Sequence, residues 1–598
     1  MIELSGNDLN LEKVWRIAQG EEVEISAAAM DRVKASRAIV EKLIVDDRVV
    51  YGITTGFGHL CNTRINHADL ERLQTNLVRS HATGVGEPFA RDAVRAMIAV
   101  RINSLLHGVS GVRPELILAL VDLLNKDVVP WVPQQGSVGC SGDLAPLSHI
   151  MLVLMGEGEV LGGECCQRHP ALPALEKAGL KPLQLQAKEG LALINGTSVM
   201  TGVLALALYR SLHVSKSADI IASMTLEMVK GSTSPFDPDF IALRPYPGMK
   251  QVAANVLSCV QDSEVRASHI GCTKVQDAYS VRCIPQVHGA CRDAFRWLRE
   301  VVAVEVDAVT DNPIVFPDVG EIVSAGNFHG EPLALALDLA AMSLAEIGSM
   351  SERRTFRLLS PFLSELPPYL TETPGLSNGY MLAQYTAAAL VAESKILCHP
   401  ASVDSIPTSG DQEDHVSMGM TAALKLETVL RITSTRGDAG ALDLACGTGV
   451  FTRPLARSKP GLVIGLDLSW PMLRHARRLV TREGLDNVLF VRATAFRMPF
   501  RDSAFPFVNC CGALHLFDRP DDALKEIRRV LSPGGRFSVQ TTIRPERSGG
   551  MAYVLERFIR FGFFNEAVLR QKLQRHGFDI VESERHRISF TFLARRID

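Results

Sequence analysis

A chain of 598 residues is too long to fold around one compact core, so two or more domains are expected. Hydrophobic residues at 46% and charged residues at 22% exclude disorder as the dominant state. The formal charge of −3 hides a net basic stretch from residue 437 onward behind a net acidic remainder, but its cations (Arg474, Arg477, Arg478; Lys525, Arg528, Arg529) spread over helix faces without interleaved aromatics, which argues against nucleic acid as a partner.

In chain order, the first residues, Met-Ile-Glu-Leu-Ser-Gly-Asn-Asp, carry neither a basic start nor an apolar run. No later segment offers about 18 uninterrupted apolar residues, so a cytoplasmic protein without membrane contact is expected. The twelve cysteines are scattered without a Cys-x-x-Cys pair and read neither as a disulfide framework nor as a zinc site. Reduced thiols and no metal are the expectation.

The segment Gly136-Ser-Val-Gly-Cys-Ser-Gly-Asp-Leu-Ala-Pro-Leu-Ser-His149 carries the most chemistry. If the Gly142 amide nitrogen attacks the Cys140 carbonyl and two waters leave, Ser141 loses its hydroxyl and becomes an exocyclic methylene conjugated to a five-membered imidazolone. That methylene is electron-poor. Glycine suits the third position because a Cβ would obstruct the attacking turn, and Asp143 beside it can assist proton transfers. Further on, Leu333 to Ser351 and Met381 to Leu397 are rich in Ala, Leu and Glu with apolar residues at three- and four-residue spacing, the pattern of long bundle helices.

Around Thr433 to Asp438 the pattern changes to short alternating strand and helix units, which marks a domain boundary. Ala441-Leu-Asp-Leu-Ala-Cys-Gly-Thr-Gly449 reads as a strand entering a glycine turn, with Val450 to Arg457 as the following helix. Val463 to Asp467 is a second strand ending in an acid, 18 residues beyond Gly449, the spacing at which a Rossmann-like sheet sets a carboxylate on a ribose diol. Phe505 to Phe517 reads as a strand and its loop, Ala523 to Leu531 as a helix, and Pro533-Gly-Gly-Arg-Phe as a turn into another strand. The fold class expected is a mainly α helical bundle, residues 1–432, followed by an α/β Rossmann-like domain, residues 437–598.

The first part resembles the histidine ammonia-lyase family, within the methylidene-imidazolone lyases that also act on phenylalanine and tyrosine. Besides the segment around Ser141, the likeness rests on Tyr51-Gly-Ile-Thr-Thr-Gly-Phe-Gly58, Arg79-Ser-His-Ala82, Leu193-Ile-Asn-Gly-Thr197, Val275-Gln-Asp-Ala-Tyr-Ser-Val-Arg282, Asp311-Asn-Pro313, Gly326-Asn-Phe-His329 and Gln412-Glu-Asp-His-Val-Ser-Met418. It implies a prosthetic-group region to about residue 205, then a helical bundle that stops before the family's last helices. The family usually has Ala where Cys140 stands, a departure that bears on ring closure and brings a thiol near the electrophile.

The resemblance also implies roles. Cys140, Ser141 and Gly142 would form the 4-methylidene-imidazol-5-one. Tyr51 would be the base removing a β-proton, a phenol with its pKa lowered by nearby donors and by the ring. Arg282 would hold the substrate carboxylate in a bidentate fork, Tyr279, Asn195 and Gln276 would orient the amine and the ring carbonyl, and Phe328 would wall the substrate. His81 and Glu413 match the histidine-directed members: a carboxylate can accept an imidazole N–H, whereas against a phenyl ring it would be buried without a partner. The implied reaction is loss of ammonia from L-histidine to give trans-urocanate, in a homotetramer whose sites draw on three subunits. Two alternatives stay open: a lyase or 2,3-aminomutase for another aromatic amino acid, or a methyltransferase on an inactive lyase-like scaffold.

The second part resembles class I methyltransferases that use S-adenosylmethionine. Gly447 and Gly449 would admit the cofactor's amino-acid end, Asp443 would receive its ammonium directly or through water, and Asp467 would bind its ribose. The likeness departs from the family at Thr494, where an adenine-reading Asp is usual, and at Pro506, which interrupts the following strand. The resemblance leaves the methyl acceptor unknown; histidine, urocanate or a related imidazole is a guess. The helix from about Val416 to Ile432 is expected to serve both parts, packing on the bundle and partly capping the sheet.

Overall fold

The computed structural model describes residues 1–162, 167–271, 274–433, 439–458, 461–485, 487–500, 502–543, 564–586 and 589–597. The chain divides into two compact units, Met1–Ser434 and Thr435–Asp598. The expected boundary near Arg436 lies outside the described residues.

The first unit is built on long helices. Ser198–Met228 is buried on all sides over its first turns, from Ser198 to Leu208, and then becomes one-sided. It packs against Arg91–Leu105, Ile284–Glu305, Glu331–Leu359 and Gly419–Thr433. Along Glu331–Leu359 the buried positions Leu333, Leu337, Ala340, Leu344 and Ile347 recur every three or four residues, which keeps one stripe against the core. Pro332 opens that helix, and extended Ser360 before Pro361 ends it, because proline disfavours a helical residue ahead of it. Met381–Leu397 matches its expected span, yet of its residues Ser394 alone is buried. The helix expected from about Val416 spans Gly419–Thr433 and buries seven residues within the first unit.

Shorter elements above the bundle carry the chemistry-bearing loops. The segment around Ser141 enters the helix Leu144–Leu154. The short helix Glu189–Ile194 ends at Asn195, and after Gly196 and Thr197 the chain enters Ser198–Met228.

The second unit holds strands β1 (Ala439–Leu444), β2 (Leu462–Asp467), β3 (Val488–Arg492), β4 (Phe505–Cys511), β5 (Leu531–Thr542), β6 (Phe578–His586) and β7 (Ser589–Arg596). They lie side by side in the order β3-β2-β1-β4-β5-β7-β6. The first five are parallel and β7 runs antiparallel to both of its neighbours. The order in which strands are added reverses between β1 and β4, and it is beside the carboxyl ends of strands at such a switch point that open α/β sheets take ligands. Pro506 does not end β4. Pairing with β5 shifts register between Phe505 and Phe507 instead, since Pro506 has no N–H to give the ladder. Beneath the sheet Phe537 is fully buried, with ring centroids 5.3 Å from Phe578 and 6.2 Å from Phe592.

Each unit has its own core, so core truncations are expected to act on separate calorimetric transitions. Phe537→Ala should cost the second unit about 3–5 kcal/mol and Leu344→Ala the first about 2–5 kcal/mol, each lowering one transition temperature while the other stays.

Candidate functional site

A cavity of ≈ 1270 Å³ in the first unit gathers Tyr51, His81, Cys140, Ser141, Asn195, Phe328 and Glu413 around one space. These residues are far apart in the chain and arrive on six separate segments. The cavity is also lined by His59, Cys61, Asn312, His329 and His415, to which the sequence reading assigned no role. His329 and His415 lie inside two of the motifs quoted above, and their rings stack at 5.9 Å with a 3° interplanar angle. Motif membership was their signal; the pairing itself depends on tertiary structure.

The backbone at Ser141 is unusual. Ser141 has φ 50° and Gly142 φ 82°, and the left-handed region costs an L side chain about 1–2 kcal/mol. A Cβ on Gly142 would lie 2.2 Å from the Gly196 carbonyl oxygen, so glycine is required there for space as well as for conformation. The two segments meet in a short bridge: Asp143 N–H donates to Gly196 O at 2.7 Å, and Gly196 N–H donates to Ser141 O at 3.2 Å. Asn195 Nδ2 gives the same Ser141 oxygen a second bond at 3.0 Å. That oxygen would be the ring carbonyl after cyclisation, and two donors on it draw electron density away from Ser141. The left-handed fold-back, the space for glycine alone and the paired donors all fit an imidazolone at 140–142. Gly142 itself faces Gly196, behind the cavity.

Asp143 is fully buried, and its Oδ2 accepts from Val199 N at 2.8 Å and Met200 N at 3.0 Å, at the positive end of the Ser198–Met228 helix. Burial nevertheless dominates and pushes this carboxyl up to about 7, against those donors and Arg101. Cys140, which faces Glu413 and Thr408, has its thiol pushed up to about 11, by burial first and by the Glu413 carboxylate second. It therefore stays a protonated thiol at neutral pH and does not act as a thiolate nucleophile beside Ser141.

Tyr51 departs from expectation. Its Oη accepts from Gly58 N–H at 3.3 Å, but burial outweighs that donor and holds the phenol above its ordinary value rather than below it. Cys61 and Glu413 add to the rise. At the end of the helix Leu70–His81, His81 Nδ1 lies 2.8 Å from Leu77 O, which selects the tautomer with the proton on Nδ1 and leaves Nε2 as an acceptor. Thr408 Oγ1 donates to Glu413 Oε2 at 2.9 Å, and the two residues pair through their backbones, fixing the carboxylate's base.

Three expected residues are not brought to this cavity by their own chain. Gln276, Tyr279 and Arg282 form a separate cluster: the Arg282 guanidinium sits 4.5 Å from the centre of the Tyr279 ring, and Gln276 Oε1 accepts from Arg282 Nη1 and Nη2 at 2.9 and 3.0 Å. Tyr279 is 70% exposed. The short helix Tyr279–Arg282 leads into Ile284–Glu305, which holds the cluster on the bundle surface.

In the second unit, Gly447 (φ 54°) and Gly449 (φ 77°) form the turn after β1, and nothing lies within 4 Å of where a Cβ on Gly447 would stand. Asp467, at the end of β2, accepts from Gly447 N at 2.8 Å and Ser469 N at 2.8 Å. Asp443 is 1% exposed, with Oδ2 bonded to Thr452 Oγ1 at 2.6 Å and Oδ1 to Asn509 Nδ2 at 2.8 Å, so it ties the glycine turn to its helix and to β4. Burial pushes it up to about 6. Thr494 closes a turn by accepting from Phe496 N–H at 3.3 Å.

A family model of aromatic amino acid lyases matches residues 9–442, and one described as a methyltransferase domain matches residues 441–535. Histidine ammonia-lyases of Gloeobacter violaceus and Myxococcus xanthus are 53% and 52% identical to this chain over 429 and 425 residues, spanning 71% of it and 83% of each of them. Among solved structures, a histidine ammonia-lyase from Trypanosoma cruzi superposes with a TM-score of 0.66 at 42% identity, covering 72% of this chain and 81% of its own. A tyrosine aminomutase from Streptomyces globisporus superposes with a TM-score of 0.68 at 38% identity, covering 72% and 85%.

The two buried carboxyls set a pH dependence of stability. Asp143 and Asp443 bind protons more tightly folded, near 7 and near 6, than in the unfolded chain, near 3.8. Their contribution is therefore fully present below about pH 4 and is lost as the pH rises through 6 and 7. Thermal melts of Asp143→Asn and Asp443→Asn should show a flatter fall in stability between about pH 4 and 7 than the parent protein; an unchanged slope in both would refute these environments.

Proposed function

Since the chain belongs to the aromatic amino acid lyase family, we propose that its first unit releases ammonia from L-histidine to give trans-urocanate, and that its second unit is a methyltransferase using S-adenosylmethionine. The observation that carries the first reading is one cavity holding Tyr51, Ser141 and Glu413 together, in a chain half identical to histidine ammonia-lyases. When closed, the 140–142 imidazolone supplies an electron-poor carbon for the substrate. Asn195 and Gly196 hold the Ser141 carbonyl and polarise it. Phe328 walls the ring, Glu413 accepts an imidazole N–H, and His81 Nε2 offers a second acceptor. Tyr51 Oη removes the β-proton.

A phenol above its ordinary pKa is a poor base until a cation approaches it. We propose that Arg282, with Tyr279 and Gln276, reaches the cavity from another copy in a homotetramer, fixing the substrate carboxylate and lowering Tyr51 there. Supporting this, Tyr279, Leu376, Leu382, Tyr385 and Ile396 are exposed apolar side chains at 50% or more, an unusual surface for a chain working alone. A cytoplasmic, reducing location suits the free thiols of the described residues. In the second unit, Gly447 and Gly449 would admit the cofactor and Asp467 would take its ribose; histidine, urocanate or a related imidazole is the proposed acceptor.

Purified protein with histidine should show growth of urocanate absorbance, and Tyr51→Phe should lower the rate about 10²–10⁴-fold. Glu413→Gln should cost about 1.5–3 kcal/mol in kcat/KM for histidine. Growth of cinnamate or coumarate from phenylalanine or tyrosine in place of urocanate would move the reading to the other lyases or aminomutases. No product from any of them, with an intact mass lacking the loss of two waters, would leave the scaffold reading. Co-expressed Tyr51→Phe and Arg282→Ala chains, each inactive alone, should regain activity when mixed, and their failure to do so would reject shared sites. Titration calorimetry should detect S-adenosylmethionine binding that Asp467→Asn abolishes.

A further inference from the structure

Behind the turn at Ser141 lies a set of fully buried charges that the proposed chemistry does not use. Arg101, on the helix Arg91–Leu105, is 0% exposed. Its Nη2 donates to the carbonyls of Ala192 and Asn195, the latter at 2.8 Å. Those carbonyls belong to the last turn of the helix Glu189–Ile194, where they have no partner within the helix and where a cation is favoured. The other end of that helix is tied down as well: Lys188, immediately before it, donates through Nζ to Asp311 at 2.8 Å, both side chains being wholly buried. Arg101 feels the charges of both Asp311 and Asp143, and its Nε and Nη1 make no hydrogen bond among the described residues. Nη1 lies 2.8 Å from where a Cβ on Gly196 would stand.

The guanidinium therefore touches the peptide that carries both donors to Ser141, the Asn195 amide and the Gly196 N–H. We propose that Arg101 is the positioning residue for ring closure at 140–142, clamping Asn195 and Gly196 against the Ser141 carbonyl so that the tripeptide stays in its folded-back turn until it reacts. The inference rests on the imidazolone reading above. In the reaction the Gly142 nitrogen bonds to the Cys140 carbonyl carbon, and that carbon's oxygen leaves as water with the hydrogens of the Gly142 and Ser141 amides, giving a carbon–nitrogen double bond to the Ser141 nitrogen. A second water takes the Ser141 hydroxyl and its α-hydrogen, giving the methylene. No oxidant or reductant enters. Without the clamp, Ser141 loses the constraint that holds it at a positive φ and relaxes to an extended backbone, moving the nitrogen out of reach.

The test is the intact mass of denatured full-length chains. Wild type should lack the mass of two waters; if it does not, the imidazolone reading fails and takes this inference with it. Arg101→Lys keeps the charge but not the fork, and Gly196→Ala, at φ 131° with a Cβ that would lie 2.6 Å from Thr310 Oγ1 and 2.8 Å from Arg101 Nη1, disturbs the bend that the guanidinium holds. Each should give folded protein, by circular dichroism, in which a substantial fraction of chains retains both waters. A remote core truncation, Leu344→Ala, chosen to lose comparable stability, should cyclise fully. Complete water loss in folded Arg101→Lys and Gly196→Ala would overturn the proposal while leaving the imidazolone intact. So would unfolding of both variants, which would assign Arg101 to the fold alone, or incomplete closure in Leu344→Ala, which would make closure a matter of general stability.

Discussion

The backbone at Gly142 lies so close to that at Gly196 that it has no room for a single methyl group, and Gly196 in turn is hemmed in by Thr310 and Arg101. The rest of the first unit can be understood as what makes that approach stable. The short helix Glu189–Ile194 is held by a buried cation at each end, the long helix Ser198–Met228 offers its first amides to Asp143, and Thr310 supports the Gly196 bend by accepting from Thr197 N–H at 3.2 Å. Each of these anchors is polar and sealed from water. Burial of that kind is costly when a partner is missing, so the arrangement tolerates little rearrangement.

The same contact explains why the loop can be reactive without being loose. A turn that is unfavourable for serine persists because its surroundings overdetermine it, and the strain points toward the geometry of a five-membered ring. The bundle beneath supplies rigidity through close packing along Glu331–Leu359 and Ser198–Met228, while the side facing substrate is built from loops and helix ends. In the second unit the equivalent burden falls on Asp443, which holds the glycine turn, β4 and the first helix in one arrangement.

Much of this was legible in the chain because the signals were local. Met381–Leu397 and the strands at Leu462–Asp467 and Phe505–Cys511 follow from periodicity and composition, and the segment around Ser141 carries its chemistry in consecutive residues. Other features depend on distance in three dimensions. Nothing in the spacing of Arg101, Lys188 and Asp311 marks them as buried partners, since arginine and lysine are ordinarily exposed. Tyr279 and Arg282 read as members of the same cavity as Tyr51, yet one chain keeps them on another face. Asp443, within a strand, and Asp467, at the end of one, were both read as cofactor acids, and the difference lies in whether a neighbouring side chain or a backbone amide claims their oxygens. In the single chain burial outweighs the Gly58 donor at Tyr51, a balance that residue spacing does not display.

The contacts that shape the turn span long stretches of chain: Asn195 follows Ser141 by 54 residues, and Asp311 follows Lys188 by 123. A nascent polypeptide that has emerged only as far as Ser141 lacks the wall against which the loop is folded. An imidazolone closed from this loop, as proposed, would belong to the calendar of biosynthesis: it would mature only after translation had passed the residues that enclose it, so the newly made protein would acquire its tertiary structure before it owned its own reagent.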